Sequence, residues 1–378
     1  MTPSEQLVAE INEDVFFREF SFADTRFATT SHTEVELADH VIWIDDLLVI
    51  FQIKERGAAG TNDGAWFRHE VLNRGTRQVR DTLNYIRETP NLVLKNQSGH
   101  TISTASWPQL HIVKLVLYFS RAELSNARSH HVSSTAGFVH ILAGEAYLEV
   151  CRTLITPWEI FRYLTYREGR ALAGKLRGVS ERATLGQWLV GDFNAEPDKR
   201  YASAVEQLEP PDPRSSITFI TAGMRDHLYT PLTTGASAPS YYQVLAELAK
   251  LDRNEIGAFR ARFERAREAS RTNEFAAPWR FVTGSECGFL FLPIVDSLFH
   301  NRLSALEKFT LSCKYELKLR RQVGLAIAVR GEQLVVDWLW TDGEWVHDPA
   351  LEKAIHSGRN LFRPIREKLA LLYTFRTP

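Results

Sequence analysis

Three residues close to the N-terminus combine side-chain types that suit hydrolysis assisted by a divalent cation. Asp39 supplies a carboxylate, Gln52 an amide carbonyl and Lys54 an ammonium group. Mg²⁺ prefers oxygen ligands and keeps several of its waters, so one or two carboxylates with carbonyl oxygens are enough to bind it. Such a cation acidifies a water and offsets developing negative charge, and a lysine adds a fixed positive charge. These residues are therefore the first candidates for a reaction centre.

The segment 34–56 predicts the hairpin that would bring the three side chains together. It is a long β-rich run that is interrupted only by two aspartates at positions 45–46, which indicates two strands joined by a tight turn. Antiparallel pairing around a two-residue loop places Asp39 opposite Gln52, and Lys54 follows two residues later on the same face. A shift of one residue would turn Asp39 to the other face, so the prediction depends on this register.

The same residues carry a resemblance to a known family. The run ELAD, which ends at Asp39, and the later Q-I-K at 52–54 resemble the PD-(D/E)XK nuclease superfamily, in particular its Gln-x-Lys branch, which is typified by Mrr-like restriction enzymes. The resemblance implies that Asp39 is the essential metal-binding aspartate, Gln52 the variable ligand and Lys54 the catalytic lysine. Two positions depart from the pattern: Ala38 stands in place of proline, and Gln52 replaces an acid, which weakens metal affinity.

An acid on the first helix often completes sites of this superfamily. The resemblance assigns that role to Glu10, with Glu13 as the second choice. Glu36 falls on the opposite face of a regular strand from Asp39 and would need a bulge to join it. The main-chain oxygen of Ile53 is an alternative to the amide ligand. The expected cofactor is Mg²⁺, for which Mn²⁺ can substitute.

The residues that follow the proposed site carry a local excess of positive charge. Positions 54–87 contain seven basic and four acidic residues, whereas the whole chain has a net charge of −1. A local excess of this kind attracts a phosphate backbone. The residues expected to contact nucleic acid are Arg56, Arg68, Arg74, Arg77 and Gln78.

The predicted elements are compatible with the core that the resemblance implies. Thr2 followed by proline starts a helix, because threonine caps it and the missing N–H of proline costs nothing there. After the hairpin, a helix is expected from about 65 to 87, and strands at 110–119 and 137–142. The resulting order of helix, β-meander, helix and strand corresponds to a restriction-endonuclease-like core of α/β (α+β) class.

Two domains are expected along the chain. Residues 1–150 would form the nuclease-like domain, and residues 151–378 a helical and then α+β domain that binds substrate or a partner or mediates dimerisation. Within the second domain, a helix is expected to start at Thr156, and two apolar runs flanking a turn at 331–332 predict a hairpin.

The composition places limits on the class of protein. It contains 44% hydrophobic and 24% charged residues, as in an ordinary soluble globular protein. The sequence shows neither a signal peptide nor an uncharged apolar run long enough to cross a bilayer, so a cytoplasmic protein without membrane association is expected. The cysteines Cys151, Cys287 and Cys313 are odd in number and far apart, which argues against disulfides and a zinc site.

The sequence therefore favours a metal-dependent nuclease that acts on DNA in preference to RNA. The habits of the superfamily suggest restriction or anti-phage defence, with a second copy of the chain or a defence-system protein as partner. Two alternatives remain open. One is a catalytically degenerate nuclease fold that serves as a nucleic-acid-binding or assembly module, and the other is a protein-interaction scaffold without a nucleic-acid role.

Overall fold

A computed structural model describes most of the chain and divides it into two compact units. The described residues are 1–23, 26–28, 34–57, 62–89, 93–96, 101–103, 111–120, 124, 127–196, 198–209, 238–272, 274–357, 361–365 and 373–376. Unit 1 consists of Met1–Glu209 together with Tyr373–Pro378, and unit 2 of Pro210–Leu372.

The boundary between the units differs from the one expected at residue 150. The helices between 157 and 207 belong to unit 1. Arg167, which is 1% exposed, shows why, because its guanidinium donates to the main-chain oxygens of Ser129 and Ile141 at 3.1 and 3.2 Å. A capping pattern thus marks the start of a helix without marking a domain boundary.

Unit 1 is built on a six-stranded mixed sheet. Its described strands are β1 (Ser21–Ala23), β2 (Arg26–Ala28), β3 (Glu34–Glu36), β4 (His40–Ile44), β5 (Leu47–Glu55), β6 (Val93–Lys95), β7 (Thr101–Ser103), β8 (His111–Phe119), β9 (His130–Ser133) and β10 (Gly137–Ala143). The large sheet has the order β1-β4-β5-β8-β10-β9, while β2 pairs with β3 and β6 with β7. Neighbours are antiparallel except β5 with β8 and β8 with β10.

Helices cover the sheet of unit 1. They are α1 (Pro3–Phe16), α2 (Asp63–Trp66), α3 (Thr76–Glu88), α4 (Gly144–Thr153), α5 (Pro157–Leu172), α6 (Glu181–Leu189) and α7 (Ala202–Gln207). A π-helical segment, Phe67–Gly75, joins α2 to α3, so the single helix predicted for this region is continuous but not uniform. Along the chain, unit 1 presents a helix, three antiparallel strands, a helical run and a parallel strand. The predicted mixed α/β class is confirmed.

Two local features fix the helices that flank the sheet. At the start of α1, Thr2 and Glu5 form a reciprocal capping box, in which each side chain accepts a bond from the main chain of the other. At the end of the π-helical segment, a Cβ on Gly75 would lie 2.8 Å from Cγ1 of Val116. The absence of a side chain therefore lets the helical run pass close over β8.

Unit 2 contains a four-stranded sheet and helices. Its described strands are β11 (Trp279–Val282), β12 (Cys287–Ile294), β13 (Arg321–Arg330) and β14 (Gln333–Asp342), and its helices are α8 (Ala238–Ala249), α9 (Arg253–Ala269), α10 (Arg302–Glu316) and α11 (Pro349–Ser357). The strands follow chain order, with β12 and β13 parallel and the other pairs antiparallel. Arg330 pairs with Gln333 around Gly331, which has a φ of 60°, so the predicted hairpin is confirmed.

No helix within the described part of the chain is long and apolar enough to cross a bilayer. All three cysteines are buried and free, as expected. Burial raises the pKa of Cys151 to about 12, which leaves its thiol protonated and unreactive at neutral pH.

Candidate active site

The hairpin of β4 and β5 forms with the predicted register. Ile44 pairs with Leu47, and the ladder continues outward as far as His40. The loop therefore consists of Asp45 and Asp46, and Asp45 adopts a φ of 53°, the left-handed conformation that tight hairpin loops require. This register carries the chain before β4 towards the C-terminal end of β5.

Asp39 directly precedes β4, and its carboxylate meets the end of β5. The main-chain N–H of Ile53 donates to Oδ2 of Asp39. Nζ of Lys54 lies 3.4 Å from the same oxygen and 3.4 Å from Oε1 of Gln52. The ammonium group also donates to the main-chain oxygen of Ile53 at 3.0 Å. The structure thus brings together the three side chains that the register predicts.

The burial of Asp39, Gln52 and Lys54 determines the electrostatics of the site. The side chains of Lys54 and Asp39 are 11% and 10% exposed, and Gln52 is 2% exposed. Loss of solvation raises the pKa of Asp39, and the negative charge of Glu5 raises it further, while Lys54 and the hydrogen bond from Ile53 act in the opposite direction. Because the net effect is a raised pKa, the ionised carboxylate would gain from an additional positive charge, such as a cation.

A cavity of about 450 Å³, here called the Asp39 cavity, opens beside Asp39 and Gln52. Its other walls are Leu37, Ala38, Gln78, Asp81, Thr82, Asn84, Tyr85 and Glu88. The hydroxyl of Thr82 donates to the main-chain oxygen of Leu37, which fixes α3 against the segment before β4. Oε1 of Gln78 is buried and has no hydrogen-bond partner among the described residues. An orphaned buried acceptor is costly, so it indicates a place where a donor or a cation would be stabilised.

The donor set around this cavity fits a hard divalent cation. Asp39 offers carboxylate oxygens, and Gln52 and Gln78 offer amide oxygens. The main-chain oxygen of Ile53, which accepts a hydrogen bond from Lys54, belongs to the residue after Gln52 and does not line the cavity. No group of three or more His, Cys, Asp or Glu side chains that could hold a metal occurs in the part of the chain that the structure describes. A cation here would therefore depend on one strong carboxylate supplemented by neutral oxygens, which is a ligand set that Mg²⁺ or Mn²⁺ accepts.

The structure does not bring Glu10 to this site. Its side chain is exposed, and its Oε1 accepts a hydrogen bond from Gln6 at 3.0 Å. The acid on α1 that affects Asp39 is Glu5. Five residues along a helix correspond to a rotation of about 140°, so Glu5 and Glu10 lie on different faces.

For the two other acids considered from the sequence, Glu13 and Glu36, the structure describes no contact with this site. Glu13 forms an ion pair with Arg18 at 3.2 Å. Glu36 lies in β3, and its side chain is outside the described atoms. The capping pattern from Thr2 to Glu5 places that acid in the first turn of α1, but no local pattern indicates that this turn lies near Asp39.

Two of the arginines predicted to contact nucleic acid are already paired. Arg56 forms an ion pair with Asp63, and its guanidinium lies 5.7 Å from the ring centre of Trp66. Arg74 pairs with Glu70 at 3.0 Å, one turn away on the same helical run. The Arg56 side chain is only 12% exposed and is therefore poorly available to a ligand, whereas Arg74, which is 55% exposed in a surface pair, stays accessible.

The three remaining residues of that prediction face two different cavities. Arg68 and Arg77 are exposed and line a second cavity, whereas Gln78 lines the Asp39 cavity. Next to the second cavity, the adjacent His130 and His131 begin β9. Two adjacent histidines do not show the alternation of apolar and polar residues that predicts a strand.

Comparison of the chain with protein-family models, with curated proteins and with solved structures finds no match.

Proposed function

We propose that the chain is a metal-dependent nuclease of the PD-(D/E)XK type that hydrolyses phosphodiester bonds, with DNA as the substrate. The observation that carries the proposal is the approach of Nζ of Lys54 to 3.4 Å from both Asp39 and Gln52. An exposed cross-strand ion pair would be a simpler reading, but Lys54 and Asp39 are only 11% and 10% exposed, and Asp39 and Gln52 line a cavity. The order of elements in unit 1 is also compatible with the core of that superfamily.

The chemistry divides between the cation and the protein. When bound, Mg²⁺ or Mn²⁺ would acidify a water and offset negative charge on the phosphate. Asp39 would hold it, together with the oxygens of Gln52 or Gln78. Lys54, which is held by its contacts with Asp39 and Ile53, would orient the attacking water or stabilise the charge that develops on the phosphate. Partial burial of the site excludes bulk water, which strengthens both effects.

A plasmid-nicking assay in Mg²⁺ and in Mn²⁺ tests the proposal. We expect cleavage by the native protein and a loss of about 100-fold or more in Asp39→Ala and in Lys54→Ala, as for removal of a principal electrostatic group. Asp46→Asn is the matched control, because Asp46 lies in the hairpin loop with 57% of its side chain exposed and should keep the native rate. Absence of cleavage by the native protein in both metals, or native cleavage by Asp39→Ala, would contradict the proposal.

A second candidate function is a degenerate nuclease fold that binds nucleic acid without cutting it. The neutral amide of Gln52 and the single carboxylate of the donor set favour it. Binding that needs no metal, without cleavage in either metal, would support this candidate. The same assay with an RNA substrate decides between the two nucleic acids. A role in restriction or anti-phage defence, with a homodimer or a defence-system partner, rests on the resemblance alone.

A further inference from the structure

We infer that a second cavity in unit 1 binds the phosphate groups of a nucleotide or of a short single strand of nucleic acid. This cavity, here called the arginine cavity, has a volume of about 930 Å³. It lies between the helical run of α2 and α3 and the segment that contains β9, and it is lined by Gly64, Phe67, Arg68, Leu72, Asn73, Thr76, Arg77, Arg80, Leu124, Ala127, Arg128, His131, Ser133 and Thr135. The inference rests on the proposed function for the identity of the ligand, but not for the existence of the site.

The charges of the arginine cavity all have one sign. Its described lining contains four arginines and one histidine, and no aspartate or glutamate. One of the four, Arg80, is paired with Asp81 at 2.9 Å. Arg68, Arg77 and Arg128 are exposed, and none of them forms an ion pair with another described residue. Guanidinium groups present planar pairs of donors that match phosphate oxygens, and Arg68 and Arg77 reach the cavity from the same helical run. An unneutralised group of this kind attracts a polyanion.

The size and the remaining walls of the cavity narrow the ligand class. A volume of about 930 Å³ is near the upper end for a site that takes one small molecule, so the cavity takes a nucleotide or a few linked nucleotides. Phe67, which is 5% exposed, and Leu72 give it an apolar portion beside the arginines, and Ser133 and Thr135 add hydroxyl groups. This combination of guanidinium, hydroxyl and apolar groups suits phosphate and sugar together.

Helix α3 separates the arginine cavity from the Asp39 cavity, and the two have opposite electrostatic character. Arg68 and Arg77 line the arginine cavity without an ion pair, whereas Glu88 joins Asp39 in lining the other, whose described walls contain no arginine or lysine. Arg80 and Asp81, which line one cavity each, neutralise one another in an ion pair of 2.9 Å. A cation is therefore attracted to one side of the helix and a phosphate chain to the other. Since a helix is about 10 Å across, a strand held by the arginines would need to cross one helix to place a phosphodiester at Asp39.

Fluorescence anisotropy with a labelled single-stranded hexanucleotide, in EDTA, tests the site without any cleavage. We expect the double variant Arg68→Gln/Arg77→Gln and the single variant Arg128→Gln to bind about tenfold more weakly or worse, and each lost contact to lower the salt dependence by about one ion. The matched control is Arg177→Gln, because Arg177 is an exposed arginine of unit 1 outside the cavity. Thermal denaturation of each variant checks folding, which substitutions at exposed positions should preserve.

Competition identifies the source of the phosphate. Displacement of the probe by ATP at concentrations similar to those of unlabelled hexanucleotide supports a free nucleotide as ligand, whereas displacement by the hexanucleotide alone supports a strand. Displacement by neither overturns the inference, as does native affinity in the double arginine variant or an equal loss in Arg177→Gln.

The outcomes also separate this inference from the proposed function. Binding that depends on Arg68 and Arg77, in a protein that never cleaves, leaves the site in place and removes the nuclease. Cleavage that depends on Asp39, with binding indifferent to the arginines, keeps the nuclease and removes the site.

Discussion

Single side chains around Asp39 set the charge that a cation would meet. Burial alone disfavours the ionised carboxylate, and Lys54 only partly restores it. The sequence placed Lys54 correctly because strand register is a strict rule. Glu10 was the acid expected on α1, with Glu13 as the second choice, whereas Glu5 is the one that affects Asp39, because only the orientation of α1 towards the sheet decides which acid comes near.

The two acids on α1 give a paired prediction. Glu5→Gln keeps the capping box, since glutamine also serves there, but removes a negative charge near Asp39. The Mn²⁺ concentration that gives half-maximal cleavage should therefore rise by about threefold or more, as expected for a partly screened charge. Glu10→Gln should leave that concentration unchanged. Equal metal dependence in the two variants would show that Glu5 plays no part.

The buried histidine of β10 gives a pH-dependent prediction. Nδ1 of His140 accepts a hydrogen bond from Arg167 at 3.1 Å, and burial together with that positive charge holds the pKa of His140 well below its usual 6.5. Below pH 6.5 the imidazole of His140 therefore binds a proton in the unfolded chain but stays neutral in the folded protein. The stability that this histidine contributes is complete above pH 6.5 and falls as the pH decreases, by about 1.4 kcal/mol per pH unit.

Urea denaturation between pH 7.5 and pH 5 measures this effect. His140→Gln keeps an acceptor for Arg167 but cannot titrate, so its free energy of unfolding should fall less steeply with decreasing pH than that of the native protein. Part of the slope should remain, because burial also lowers the pKa of His40, to about 3. The same slope in both proteins would contradict the assignment.

Secondary-structure elements differ in how clearly their sequences predict them. The β4–β5 hairpin was predictable because two apolar runs flank one polar dipeptide, and β13–β14 was predictable for the same reason. β1 consists of only three residues, too few to give a periodic pattern. β12 is buried throughout and therefore lacks alternation, and it contains a glycine and a proline. The π-helical segment was not predictable, because the close approach to β8 at Gly75 is a tertiary contact.

That approach gives a prediction about the helical run. Gly75→Ala would place a methyl group against Val116, which is fully buried and cannot move aside cheaply. We expect a loss of stability of about 1–3 kcal/mol, and reduced cleavage, because α3 carries Thr82 and Gln78 beside Asp39. Gly169→Ala is the matched control. Apart from its chain neighbours and the backbone of its own helix, no atom of the described residues lies within 4 Å of a Cβ at this position in α5, so helix propensity should stabilise that variant by up to about 1 kcal/mol. Circular dichroism melts of the two variants should move in opposite directions.

At the scale of the whole molecule, the sequence indicated two domains but not their extent. The C-terminal residues return to unit 1, where Tyr373 packs 5.3 Å from the ring of Trp188. Local patterns contain no information about such a return, because it depends on contacts between residues far apart in the chain. The domain boundary expected at residue 150 therefore falls within α4, the helix that directly follows β10 in unit 1.

The returning segment should stabilise unit 1. Tyr373→Ala removes a ring that is 8% exposed and should lower the free energy of unfolding by about 3 kcal/mol or more, as for other buried aromatic residues. Leu172→Ala, at a position that is 62% exposed, is the control and should change it by less than about 0.5 kcal/mol. Denaturant melts followed by tryptophan fluorescence compare the two. A stable Tyr373→Ala variant would mean that the contact with Trp188 is dispensable.

The pairing that closes unit 1 has a practical consequence. Leu208 and Phe375 form an antiparallel bridge, and the N–H of Glu209 donates to the main-chain oxygen of Thr374 at 2.9 Å, so the chain leaves and re-enters at adjacent points. Residues 210–372 thus form an insertion between two adjacent points of unit 1. They can be deleted, and a short glycine-rich turn can join residue 209 to residue 373 at little entropic cost. The trimmed protein should still melt cooperatively, and comparing its cleavage with that of the parent would reveal what the insert adds.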